Sequence, residues 1–139
     1  MAELVEGPIE VERLLAAAAR PDCGAIVLFL GTTRDHHDGR EVVRLEYEAY
    51  RPMALAVLEQ IERDTVERHA VATCRIVHRL GVVPAAEASV AVVVAAAHRG
   101  AAFDATRWAM EQVKSAAPIW KKEHYAGGDA AWVAGKKLE

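Results

Sequence analysis

The spacing of apolar and polar side chains changes period several times along the chain, and each change marks an element. Residues 9 to 20, IEVERLLAAAAR, have helical spacing and stop at Pro21, which lacks the N–H needed to continue a helix. GAIVLFLG, residues 24 to 31, is an unbroken apolar run between glycines, as expected of a strand buried on both faces. GTTRDHHDGR then brings only turn-forming or polar residues. In EVVRLEYEAY, residues 41 to 50, Val43, Leu45, Tyr47 and Ala49 alternate with Arg44, Glu46 and Glu48, which predicts a half-buried strand. Residues 51 to 70 return to helical period through Ala54, Val57, Leu58, Ile61 and Thr65. TCRIVHRLG alternates again, with Cys74, Ile76, His78 and Leu80 on one face. After a loop at Pro84, ASVAVVVAAA predicts another buried strand. AAFDATRWAMEQVKSAA predicts a helix closed by Pro118, and PIWKKEHY and AAWVAG make two short strands around Gly127 and Gly128.

The order α-β-β-α-β-β-α-β-β has no internal repeat, linker or low-complexity segment. Strands in adjacent pairs predict an α+β domain with a mostly antiparallel sheet and about three helices, rather than a doubly wound parallel sheet. Neither GxGxxG nor GxxxxGK[ST] occurs, so nothing supports a dinucleotide or NTP phosphate loop.

With 139 residues the chain suits one domain with a real core. No apolar run approaches the roughly 18 residues of a membrane-spanning helix, and the acidic start MAELVEGPIEVERLL does not resemble a secretory signal. A cytoplasmic protein without membrane contact is the expectation. Cys23 and Cys74 lack CxxC or metal-ligand spacing and read as reduced core thiols. The net charge of −3 argues against a general nucleic-acid binder. Between His98 and Lys122, however, Arg99, Arg107, Lys114, Lys121 and Lys122 face only Asp104 and Glu111, a local +3, leaving −6 elsewhere. That asymmetry points to a focused site for a small anion.

On the third helix Phe103, Arg107, Met110 and Lys114 share one stripe. Lys114, in the last turn, also suits the helix's negative C-terminal end and stands three residues from Glu111, so a capping role competes with a catalytic one. After Pro118 an extended chain turns Ile119, Lys121 and Glu123 to one side and Trp120 and Lys122 to the other. Strand lysines also protect sheet edges, which is the plain alternative for each. The junction after the first strand holds Arg34 where an anion can be met by a guanidinium fork. Asp35, His36, His37 and Asp38 there raise a metal, but adjacent residues rarely converge on one ion, and no metal is expected. His98 and Arg99 stand where a buried strand ends and a helix begins, beside that helix's free N–H groups; a solvated turn is the alternative.

FLGTTRDHHDG, YEAYRPMA, VHRLG, AHRGAAF and VKSAAPIWKKE occur in the order and spacing of the catalytic large subunit of molybdopterin synthase, and the chain resembles that family over about residues 5 to 133, leaving 134–139 as an expected flexible tail. The lysine, Ala-Pro, Trp-Lys-Lys-Glu pattern is highly specific; FxGxxR is moderately so. The resemblance implies an α/β hammerhead-like fold and a sulfurtransferase of molybdenum cofactor biosynthesis with no cofactor of its own. Such enzymes add two sulfurs to cyclic pyranopterin monophosphate. The sulfur comes from the Gly-Gly thiocarboxylate of a small ubiquitin-like subunit, a MoaD-like carrier, and a central homodimer carries one such subunit at each end of a heterotetramer.

The resemblance also implies residue roles. Lys114 and Lys121 match the family's catalytic lysines. Arg34, preceded by Thr32 and Thr33, matches the substrate-binding end of the FxGxxR loop, although many relatives carry lysine or valine at positions 32 and 33. His98 and Arg99 match a pair given across the dimer, and Lys122 and Glu123 adjoin Lys121 in the binding segment. An arginine fork with lysines would hold two anions together, and a fixed ammonium would stabilise developing oxyanion charge. Burial beside Phe103 and Met110 would let Lys114 move protons as well.

Gly127 and Gly128 are internal and the sequence closes on GKKLE, so this chain is expected to receive sulfur rather than carry it. Two other readings remain open on the residues: a module that binds the partner's tail without chemistry, and a metal-dependent hydrolase using Asp35, His36 and His37.

Overall fold

A computed structural model describes residues 1–133; the tail expected at 134–139 lies outside the described residues. The elements are β1 (Glu3–Val5), α1 (Val11–Ala18), β2 (Ala25–Thr32), β3 (His36–His37), β4 (Arg40–Ala49), α2 (Arg51–His69), β5 (Thr73–Arg79), β6 (Gly81–Pro84), β7 (Ala88–Ala96), α3 (Arg99–Ala116), β8 (Ile119–Tyr125) and β9 (Ala130–Val133).

Two sheets result. The first has the order β1-β5-β7-β2, antiparallel except for the β1–β5 pair. Period two on β7 divides its side chains between two cores. Val92, Val94 and Ala96 pack with Ile76 against Leu58 and Ile61 of α2 and the alanine-rich face of α3, Ala102, Ala105 and Ala109. Ala91, Val93 and Ala95 pack with Val77 against Leu14 and Ala18 of α1. The second sheet has the order β3-β4-β8-β9, with β6 also paired to β4. The expected α+β class, mostly antiparallel pairing and three helices are all present.

Several local expectations change. GAIVLFLG is not buried on both faces: β2 forms the rim of its sheet, with Ile26 and Phe29 40% and 37% exposed. Conversely β5 is not half-buried, because helices cover both its faces, and Val77 and Arg79 are buried along with Cys74, Ile76 and His78. The Pro84 loop is strand β6, with Pro84 at its end, and the polar stretch after β2 includes the short β3. β1 has too few residues to show a period. In β4 a register shift between Val42 and Arg44 buries Val42 in place of Val43, which is exposed. The first helix starts at Val11 and ends at Ala18, inside its expected limits.

The β5 edge shows how an unpaired strand is completed. β1 covers only Val77–Arg79, and the N–H of Ile76 just beyond it donates to the buried Glu62 carboxylate at 2.8 Å. A side chain here replaces a missing strand partner.

Candidate functional site

The direction of each element determines which candidate residues meet. β7 ends at Ala96, and α3, starting at Arg99, packs back over β7 and β2 for 18 residues, about 27 Å. Lys114, in its last turn, therefore reaches the end of the sheet where β7 begins and β2 finishes. Thr32, Thr33 and Arg34 are at that same end, since Thr32 pairs with Ala88. Past Pro118, β8 runs antiparallel to β4 with Lys121 opposite Tyr47 and Lys122 opposite Glu46. The Tyr47 hydroxyl donates to Ser89 Oγ at 3.2 Å, and the Ser89 hydroxyl donates to the Gly31 carbonyl at 3.3 Å. Lys121 is thereby tied through Tyr47 to the junction where Arg34 leaves β2. Lys114, Lys121 and Arg34 share one end of the protein.

His98 and Arg99 do not join them. Ala25 pairs with Ala96, so these residues lie at the start of β2, and eight residues of strand, about 23 Å, separate them from Thr32. His98 is the N-cap of α3 in an extended conformation without a side-chain cap bond, and Arg99 opens the helix; both are exposed. Backbone N–H groups of a first helical turn remain free for an anion there.

The remaining expectations divide. Lys114 is exposed and Phe103 is 60% exposed, while Met110 is half-buried against the core, so the single chain does not give Lys114 the burial expected of it. Arg34 is exposed and Thr33 is 3% exposed; the Thr33 N–H donates to the Glu87 carbonyl at 3.0 Å, and its carbonyl accepts from Ala86 N–H at 2.8 Å. Thr33 thus anchors the loop from which Arg34 projects, and with its side chain buried it presents none to a ligand. Lys121 and Lys122 are partly buried on opposite faces of β8, as the alternation predicts. The Lys122 ammonium lies 5.6 Å from the Trp132 ring centroid on the outer face. Glu123 is buried at 5% exposure, accepting 2.9 Å hydrogen bonds from the Tyr125 hydroxyl and from His37 Nδ1.

Local chemistry beyond these residues includes groups the sequence does not single out. His78 packs edge-on against Tyr47, ring centroids 5.0 Å apart, and its Nδ1 donates to the Arg79 carbonyl at 2.8 Å. Burial pushes the imidazole pKa down to about 4, so it is neutral near pH 7. Burial also raises the Tyr47 phenol above its ordinary value. Alternation assigned both side chains to the inward faces of their strands, but their contact joins β4 of one sheet to β5 of the other, which no local pattern encodes. Among the described residues no three His, Cys, Asp or Glu side chains are gathered as a metal site. His36 pairs with Asp35 at 2.8 Å, holding that carboxyl below its usual range. Cys23 and Cys74 are free, and burial pushes the Cys74 thiol up to about 12, which leaves it a poor nucleophile. A concavity of about 530 Å³ lies elsewhere, between α1, α2 and the β5 edge, lined by Glu59, Glu62 and Glu67 together with Arg63 and Arg75, and it contains none of the candidate site residues.

The chain is similar to known proteins of one family over most of its length. The family model described as MoaE protein matches residues 4–116. The molybdopterin synthase catalytic subunit of Bacillus subtilis is 41% identical over 137 residues, covering 99% of this chain and 86% of the relative. That of Culex quinquefasciatus is 46% identical over 121 residues, 86% of this chain and 77% of the relative. Among solved structures, molybdopterin synthase from Staphylococcus aureus superposes with a TM-score of 0.90 at 36% identity, over 95% of this chain and 96% of that one. A MoaE protein from Burkholderia ambifaria gives 0.84 at 30% identity, over 100% and 92%. The chain is an α+β protein of the molybdopterin-synthase type. It belongs to the MoaE family.

Proposed function

We propose that this protein is a catalytic molybdopterin synthase subunit, a cytoplasmic sulfurtransferase converting cyclic pyranopterin monophosphate to molybdopterin. The observation that carries this reading is the convergence of Lys114, Lys121 and Arg34, far apart in sequence, at one end of a MoaE-family fold. A MoaD-like ubiquitin-type carrier delivers sulfur as its C-terminal Gly-Gly thiocarboxylate. The thiocarboxylate sulfur attacks a side-chain carbon of the pterin, forming a C–S bond and so a thioester, while the C–O bond at that carbon breaks and its electron pair leaves on the oxygen, which takes up a proton. Water then cleaves the acyl–sulfur bond, returning the carrier's carboxylate and leaving the sulfur on the pterin; a second carrier supplies the other sulfur.

Arg34 holds an anionic group of the substrate, and Lys114 and Lys121 stabilise the oxyanion that develops at the acyl carbon. Lys122, on the outer face of β8, attracts the carrier, and Thr32 orients the loop through its backbone. His98 and Arg99 serve the pocket of a second copy. The exposed rim of β2 supports that arrangement: antiparallel pairing of two β2 strands about a two-fold axis covers Ile26 and Phe29 and brings one protomer's His98 end beside the other's Arg34 end.

The test mixes the protein with thiocarboxylated carrier and cyclic pyranopterin monophosphate and measures dithiolene formation. Product formation with release of carrier carboxylate supports the proposal. Tight carrier binding without product would make the protein a binding module instead.

A further inference from the structure

We propose that Glu123 is a positioning residue: its buried carboxylate, through His37, holds Arg34 in place relative to Lys121, and it does not itself bind substrate. The inference deepens the proposed function and rests on Arg34 and Lys121 serving one site.

The geometry is a loop fixed at both ends. At one end Thr33 is buried and bonded through its backbone to Ala86 and Glu87. At the other, His37 pairs with Arg40 in a β3–β4 hairpin whose turn residues Asp38 and Gly39 have φ of 51° and 78°, the left-handed pair a tight hairpin turn requires. Val42 N–H donates to the Asp35 carbonyl at 2.7 Å, closing the hairpin. Arg34 projects between these anchors. From β3, His37 Nδ1 donates to Glu123 Oε1 on β8, a bond 2.9 Å long that spans 86 positions of sequence; the other side-chain bonds from the hairpin to β8 lie further along β4, from Arg44 and Glu46 to His124.

Glu123 is two residues from Lys121 on the same strand and therefore on the same face. Its Oε1 accepts from both His37 and Tyr125, and only 5% of the residue is exposed. A carboxylate so enclosed presents little surface to a ligand, and a pocket for two anions gains nothing from contact with a third. Its contacts instead run from the Arg34 loop to the Lys121 strand. Fixing a cation loop against a catalytic strand is the support a preorganised site needs. The Tyr47 phenol is close enough to feel the charge of this carboxylate, Asp38 Oδ2 lies 3.5 Å from His37 Nε2, and Arg40 stacks on the Tyr125 ring at 3.8 Å.

The experiment uses the full chain with thiocarboxylated carrier and pyranopterin phosphate. His37→Ala should lower kcat/KM at least tenfold in the wild-type background and less than twofold in Arg34→Ala, because the loss passes through Arg34. Glu123→Gln, whose amide oxygen still accepts from His37, should recover most of the activity lost in Glu123→Ala. A tenfold loss from His37→Ala in both backgrounds would overturn the proposal, as would equal losses in Glu123→Gln and Glu123→Ala. Hydrogen exchange supplies a readout that needs no turnover. In His37→Ala the Val42 amide should exchange at least tenfold faster than in wild type, and unchanged exchange overturns the tether. If wild type itself makes no dithiolene, the proposed function fails while the exchange result still decides whether Glu123 holds the loop. His37 is about one-third exposed, so its variants test the idea even if Glu123→Ala does not fold.

Discussion

Lys121 stands directly opposite Tyr47 across the β4–β8 ladder, and the Tyr47 hydroxyl reaches Ser89 at the start of β7. One cross-strand pair thus joins the lysine segment to the central sheet at the end where β2 delivers Arg34.

That pairing separates two neighbouring lysines. Lys121→Ala should lower the single-turnover rate at saturating substrate at least tenfold, about 1.4 kcal/mol of transition-state stabilisation. Lys122→Ala, which removes a cation beside Trp132 on the other face, should mainly weaken carrier binding, and more so at low salt. Equal losses of the chemical step in both variants would contradict the assignment.

Lys114 is exposed at the last turn of α3, so its removal leaves no cavity. Lys114→Ala should cost about 1 kcal/mol or less in urea denaturation while abolishing most turnover. Parallel losses of stability and activity would identify it as a helix-capping charge alone.

The roughly 23 Å between the His98 end and the Arg34 end of β2 makes a shared site testable. Mixing inactive Arg99→Ala with inactive Lys114→Ala protein should restore part of the activity, because a mixed dimer contains one pocket with both wild-type groups. Phe29→Asp should shift the protein toward monomer in sedimentation and remove activity with it. No complementation after confirmed subunit exchange would put the whole site in one protomer.

His78 predicts a pH dependence of stability. Its folded pKa of about 4 lies below the ordinary 6.5, so the unfolded chain binds more protons between those values. The stabilisation is complete above about pH 6.5 and is lost as pH falls toward 4, by roughly 3 kcal/mol. Urea denaturation from pH 7.5 to 4.5 should show a shallower acid slope for His78→Gln than for wild type. Identical slopes would mean that His78 is not held neutral by the fold.

Much of this protein was decided locally and is readable in one dimension. Breaks at Pro21 and Pro118 closed two helices, alternation put Lys121 and Lys122 on opposite faces, and the Ala-Pro-x-Trp-Lys-Lys-Glu pattern pointed to the family. Each depends on backbone geometry or residue order within a few positions, which sequence carries directly. Exposure was different. GAIVLFLG and ASVAVVVAAA look alike as apolar runs, yet β2 is a rim and β7 an interior strand, because burial depends on what lies beside a strand and strand order is a long-range outcome. Glu123 likewise reads as one more charge after two lysines; only the fold brings His37, 86 positions away, to its carboxylate. The sequence by itself determined which cations this protein has and which way each side chain alternates. Tertiary structure alone decided which of them share an end, since packing α3 back along β7 carries Lys114 toward Arg34 and leaves His98 and Arg99 at the far end of the sheet.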